Sequence, residues 1–184
     1  PFPFDDTDST VGAVLDEARR RDDVESIKIA LYRAGRDSSV VQALRRARAR
    51  GVDVTGAVRV EASFDERDNI ELARSLERDG VRVLLSPPKL KVHAKTALIC
   101  LREDGPTCRI VMVGTDNLNP KTPPSYIDFW LLSADAHRAR EIDSMFDVLA
   151  EGRQKPELKL LQISPFNMRS RFLERIEREA VRVA

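Results

Sequence analysis

Ala47-Arg48-Ala49-Arg50-Gly51-Val52-Asp53-Val54 and Leu76-Glu77-Arg78-Asp79-Gly80-Val81-Arg82-Val83 are the two stretches whose reading decides the fold. In each, a charged helix tail runs into a glycine and then into alternating β-branched residues, the pattern of a helix that stops and a strand that starts. The first helix is opened by Ser39 with Gln42 three residues on, a capping box, and the second spans 65–79 with Ile70, Ala73 and Leu76 on one side. The strands that follow are 52–60 and 81–85. Upstream, Ile27, Ile29 and Leu31 alternate within a strand over 24–32, and Val11, Val14, Leu15 and Ala18 mark one face of a helix running from a Ser9 or Thr10 cap to about Arg21. The first half is therefore a βαβαβ series, which calls for a parallel sheet and an α/β fold.

Beyond 86–89 the chain becomes strand-rich: 90–101, a turn at 102–107, 108–113 and 126–132 read as strands, the first two as a hairpin. Residues 136–150 suit a helix, 158–163 a strand, and 167 to the end a charged helix with Phe172, Leu173 and Ile176 as its apolar stripe. With 184 residues, 42% hydrophobic and 33% charged, the chain suits one compact domain. Its 31 basic against 30 acidic residues leave a net charge of +1, so nucleic acid is not an expected partner and an anionic ligand must be met locally. Charges break every apolar run, no leader precedes the first helix, and Cys100 and Cys108 fit small apolar residues on paired strands, so a cytoplasmic protein without a membrane span is expected. The opening on Pro1 suggests a piece excised from a longer polypeptide. Phe129 and Trp130 read as core, and His137 as a solvated or capping residue at a helix start.

The densest chemical signal is Lys89-Leu90-Lys91-Val92-His93-Ala94-Lys95. On a strand, Lys91, His93 and Lys95 share a face, so one imidazole sits between two ammonium groups. Neighbouring cations lower a histidine pKa and leave a neutral, nucleophilic ring nitrogen beside an anion site, for which a phosphoryl group is the obvious ligand. The same residues also describe an edge strand whose lysines deter pairing. In 114–121, Gly114, Asn117 and Asn119 permit a loop that turns its amides toward an oxyanion, with Thr115 and Lys121 as further donors and Asp116 working against it. An ordinary Asn-rich turn is the other reading. Arg33, just past the strand 24–32, stands where α/β sheets gather ligands, though Asp37 is near enough to be its partner.

Taken together, "IKIALYRAGRDSSVVQAL" (27–44), "FDERDNIELARSLERDGVRVL" (64–84), "LKVHAKTAL" (90–98), "VGTDNLNPKT" (113–122) and "YIDFWLLSADA" (126–136) resemble, in order and spacing, the first C-terminal domain of the class-one polyphosphate kinases. "SPFNMRSRFLERIERE" (164–179) resembles the opening of that family's second C-terminal domain, which implies a catalytic unit over 1–152 and a joint with the start of a following domain over 153–184. The resemblance implies a phospholipase D-like mixed sheet flanked by helices. It also implies an ATP:polyphosphate phosphotransferase that works with Mg2+. In it His93 takes the terminal phosphate of ATP as a phosphohistidine and passes it to polyphosphate, leaving ADP, while Lys95 stabilises the transferring charge. Tyr126 aligns with a tyrosine that contacts ATP. Arg33 aligns with one of two arginines at the magnesium and phosphate site and is assigned to phosphate, and Ser63 replaces the other. The remaining domains of a longer parent chain, and a homo-oligomer, are the implied protein partners.

Departures from the family pattern point the other way. Ser63 removes an arginine, Asp116 replaces a glycine, Pro123-Pro124-Ser125 replaces Ala-Arg-Leu before Tyr126, and Arg59 stands where the family has glutamate. They favour a second reading, a divergent binding homologue with degraded phosphate contacts. A third, a phospholipase D-like phosphodiesterase, wants a second H-x-K motif and an acidic residue soon after the lysine, where position 100 is Cys.

Overall fold

Ser38, one residue ahead of the expected cap, sets the first crossover. Its extended backbone and side-chain oxygen, which accepts from Val41 N at 3.3 Å, start the helix α2 (Ser39–Ala49). Two serines in succession make the register ambiguous in sequence. The backbone settles it, because Gln42 N bonds to the carbonyl of Ser38 at 3.0 Å. The computed structural model describes residues 8–31, 34–59, 66–86, 92–102, 108–115, 118, 127–152, 156 and 158–183.

Ahead of α2 lie α1 (Ala13–Arg20) and β1 (Val24–Leu31). Regular α geometry in α1 begins after a wider helical turn over Asp8–Gly12, with Gly12 itself at φ −58° and ψ −45°, so the helical run reaches back to Asp8. Then come β2 (Asp53–Val58), α3 (Glu66–Arg78), β3 (Arg82–Leu85), β4 (Thr96–Leu101), β5 (Cys108–Gly114), β6 (Trp130–Ser133), α4 (Ala136–Ala150) and α5 (Met168–Val183). Gly51 and Gly80 end the crossover helices at φ of 91° and 78°, where a side chain would be strained. The two exits are bound together, since Arg48 Nε donates to Gly80 O at 2.7 Å and Arg45 Nε to Asp79 at 2.7 Å.

The strands form one six-stranded sheet in the order β3-β2-β1-β4-β5-β6. β1, β2 and β3 run parallel, as the βαβαβ pattern requires, and β4, β5 and β6 join antiparallel to their predecessors in the sheet. The α/β class and the mixed sheet flanked by helices are thus as expected. Alternation sorts the side chains. Ile27, Ile29 and Leu31, with Val54, Val58, Ala97 and Ile99, meet α1, α2 and α3 on one face. Leu84, Leu98, Cys100 and Val111 meet Ala139, Ile142 and Phe146 of α4 on the other. β4, central and covered on both faces, is buried along its whole length.

Several expectations fail. The strand expected over 126–132 begins only at Trp130, where the β5 ladder ends opposite it at Gly114. The strand predicted over 90–101 starts at Thr96; Val92 to Lys95 is irregular chain, since the β1 ladder reaches only Ala97 and the β5 ladder only Thr96. No strand forms over 158–163. There the N–H groups of Lys159, Leu160 and Leu161 donate to the Glu141 carboxylate on α4, which takes the bonds a neighbouring strand would have used. Phe129 is exposed, whereas Trp130 is half-buried against the α1–α3 face. Phe172, Leu173 and Ile176 of α5 are exposed as well.

Candidate functional site

The sheet topology gathers one set of chain ends. β1, β2 and β3 are parallel, so their carboxyl ends Leu31, Val58 and Leu85 share an edge. Antiparallel β4 begins at that edge, with Ala97 opposite Ile29, and β5 ends there, with Val113 opposite Thr96. His93 and Lys95 lead directly into β4. A last backbone bond, Gly114 N to Lys95 O at 2.8 Å, fixes this run against β5 just past the ladder.

Within it, Lys95 is 7% exposed while His93 is open to solvent. Lys95 Nζ lies 2.8 Å from His93 Nε2 and 3.2 Å from Nδ1, so the ammonium sits against the side of the ring that bears both nitrogens. That contact is a hydrogen bond only if the imidazole is neutral and turns a lone pair toward the lysine. The pair therefore sets a ring nitrogen and a positive charge side by side at this edge. The two side chains are brought together by direct contact rather than by strand alternation. Lys89 and Lys91 lie outside the described residues.

Both residues open onto a groove of about 760 Å³ that runs between the start of β4, α4 and the segment 161–168. Gly114, Met145, Ile163 and Phe166 are among its walls. The far wall is held by α4, since Glu141 accepts the three N–H bonds above. Asn167 adds two more, its Oδ1 accepting from Ile163 N at 2.8 Å and its Nδ2 donating to Leu161 O at 3.0 Å. Burial raises the Glu141 pKa, but the backbone donors and Lys159 outweigh it and hold the carboxyl below its ordinary 4.5. A larger concavity, about 930 Å³, lies at the start of α4 around Arg138, Arg140 and Glu141 and contains neither member of the H-x-K pair. His137 belongs there, exposed, with Arg140 Nη2 2.8 Å from its Nδ1.

Thr115 follows β5 at the same edge, with its donors engaged within the protein. Its hydroxyl donates to Asp128 Oδ1 at 2.5 Å, its amide to Phe129 O at 3.1 Å, and Phe129 N returns a bond to its Oγ1 at 3.1 Å. These bonds tie the chain leaving β5 to the chain entering β6. Gly114 makes that approach possible, since a Cβ there would lie 2.4 Å from the Trp130 indole. Arg33, Ser63, Asn117, Asn119, Lys121 and Tyr126 lie outside the described residues, as does Asp116. No group of three or more His, Cys, Asp or Glu that could hold a metal ion occurs among the described residues. No helix among them is long and apolar enough to cross a membrane.

Two residues escape a reading by motif. Glu141 looks like any helix carboxylate in sequence, because its partners lie 18 to 20 residues away. Asn69 is the other; it is buried, and its side-chain nitrogen finds no acceptor. Its signal was available, an amide in the helical register of Leu72, Ala73 and Leu76.

A known family shares this arrangement. Residues 1–155 match the model of the polyphosphate kinase C-terminal domain 1. A polyphosphate kinase of Thermosynechococcus vestitus is 38% identical over 177 residues, 96% of this chain and 24% of that protein. The polyphosphate kinase of Escherichia coli K12 is 38% identical over 156 residues, 85% of this chain and 23% of its own length. The crystal structure of polyphosphate kinase from Porphyromonas gingivalis superposes with a TM-score of 0.83 at 33% identity, over 98% of this chain and 30% of that one. The chain thus spans about a quarter of the relatives it matches in sequence, and it belongs to the polyphosphate kinase C-terminal domain 1 family.

Proposed function

We propose that this chain is the phosphoryl-transfer module of an ATP:polyphosphate phosphotransferase, with His93 as nucleophile and Lys95 as its electrostatic partner. The observation that carries the reading is the buried Lys95 ammonium 2.8 Å from a ring nitrogen of the exposed His93, at the edge where the parallel strands end. In the first step the His93 lone pair attacks the terminal phosphorus of ATP; an N–P bond forms, the bond to the bridging oxygen breaks, and ADP leaves with that electron pair. In the second a terminal oxygen of polyphosphate attacks the same phosphorus, and the N–P electron pair returns to the ring. Lys95 has a defined part in both. Its ammonium engages the ring lone pair when no phosphate is present, and an arriving phosphoryl oxygen, being anionic, is the stronger acceptor. The shift of the ammonium to that oxygen frees the nitrogen as it neutralises the charge that develops.

Magnesium fits this chain as a companion of the nucleotide, bound to the phosphates of ATP, because the described residues offer no carboxylate cluster for it. The catalytic unit is assigned to 1–152, with 153–184 leading into a following domain of a longer chain. Incubation with terminally labelled ATP and magnesium tests the reading. Acid-labile, alkali-stable label on the protein, absent in His93→Ala, is the expected result; label that persists in the variant removes His93 from the mechanism.

One observation favours a second reading, a binding homologue without turnover. Thr115, offered by sequence as an oxyanion donor, uses both its hydroxyl and its amide inside the protein. Binding of ATP by a chain that never labels would select that alternative.

A further inference from the structure

We propose that the first turn of α3, with the side-chain amide of Asn69 at its centre, is a docking position for phosphate oxygens of the polyphosphate acceptor. The proposal rests on the phosphotransferase reading and supplies its acceptor side.

Asn69 is 3% exposed, and its Nδ2 has no hydrogen-bond partner among the described residues. Buried donors are almost always paired, so an orphan calls for a specific explanation. Leu72, Ala73 and Leu76 continue the same helical stripe into the core, so the polar member stands at the end nearest the edge where β1 and β2 finish. Helical side chains tilt toward the amino terminus, which aims the Asn69 amide at that edge and away from the leucines. The first N–H groups of α3, a helix of 13 residues, face the same way and have no acceptor within the helix.

Most of the orphans share one end of the sheet. Of the four buried side-chain atoms without a partner among the described residues, Asn69 Nδ2, Ser86 Oγ and Trp130 Nε1 belong to this end. Ser86 directly follows β3, and Trp130 opens β6 opposite Gly114. The fourth, Arg109 Nε, is at the other end of β5 on a guanidinium that faces Asp143. Unmet polar atoms thus share the end of the sheet to which His93 and Lys95 belong, spread across its width from β3 to β6.

The spacing suits a chain of phosphates. β2, which feeds α3, and β4, which follows His93, are two places apart in the sheet, roughly 10 Å between strand axes, and α3 packs on the face opposite α4, so the two positions are farther apart than one phosphate reaches. A linear polyanion that passes over this end of the sheet can touch both. The charges at the turn are mixed. Glu66 and Asp68 are acidic, Arg67 is basic, and all three are exposed. The carboxylates oppose an anion there, so their removal gives the proposal a second sign to satisfy.

The test is a titration of the chain with inorganic tripolyphosphate, with affinity by calorimetry and the Asn69 side-chain amide followed by ¹⁵N NMR. The Asn69 signals are expected to move with saturation, Asn69→Ala to weaken binding roughly tenfold, the loss of one hydrogen bond to a charged acceptor, and Glu66→Gln to tighten it. Signals that stay still, or an affinity indifferent to both substitutions, overturn the proposal, as does an absence of tripolyphosphate binding. If Asn69→Ala does not fold, the wild-type NMR titration and Glu66→Gln decide alone. The labelling of His93 is read separately. Label with an idle Asn69 removes this docking position and leaves the phosphotransferase reading in place; an engaged Asn69 without label does the reverse.

Discussion

Gly114 shows how closely a single residue can be specified by its neighbour. Its φ is ordinary, so conformational freedom is not the reason for glycine; the reason is the indole face of Trp130 across the β5–β6 ladder. Gly114→Ala should destabilise the protein by about 1 to 3 kcal/mol, the usual range for forcing an atom into a packed contact. Because the chain has one tryptophan, its fluorescence in a denaturant titration reports both the loss and the local displacement. An unchanged midpoint and spectrum would show that the indole moves aside freely. The His93 and Lys95 pairing was legible from sequence as a group of residues, since an imidazole flanked by lysines is a poor core face. The geometry was not legible. Alternation implies residues that share a strand face, whereas the chain is irregular there and the two side chains touch directly.

Helices and strands of the sheet were readable because each has a period and a terminator. α4 was placed at its observed bounds, and Gly51 and Gly80 closed α2 and α3 as expected. Caps and irregular segments were less so, since they depend on bonds that sequence spacing does not display. Ser38 illustrates the first kind: Ser38→Ala should cost about 1 kcal/mol in a urea titration by orphaning Val41 N, and an unchanged midpoint would remove it as the cap. Glu141 illustrates the second. The alternating apolar residues of 158–163 suggest a strand, but the donors of 159–161 go to a carboxylate on α4. With its pKa held below 4.5 in the folded protein, Glu141 contributes stability that is complete above the unfolded value and is lost as pH falls through the folded one. Hydrogen exchange of the 159–161 amides, corrected for its intrinsic pH dependence, should accelerate in that acidic window. In Glu141→Gln the protection should be low at neutral pH already and no longer change with acid. Protection equal in both proteins would mean that the carboxylate is not the anchor.

At the scale of the molecule, the sheet has two ends with different duties. At one, Arg45 and Arg48 bind the exits of α2 and α3 to each other and to the turn at Asp79 and Gly80. At the other lie His93, Lys95, the orphaned amide of Asn69 and the chain that follows β5. The parallel half of this plan was legible because crossovers announce themselves. The place of β4 beside β1 was not, because antiparallel pairing across the middle of a sheet leaves no mark in local pattern.

That separation of ends bears on how such a chain can drift. In sequence, Ser63 stands between β2 and α3, and Asp116 and the prolines at 123 and 124 between β5 and β6, whereas the arginine ties join α2 to the turn after α3 and β4 is buried along its length. A lineage can therefore exchange residues between the strands while those that tie and fill the sheet stay the same. Family membership, which residues 1–155 carry, and the individual ligand contacts need not change together.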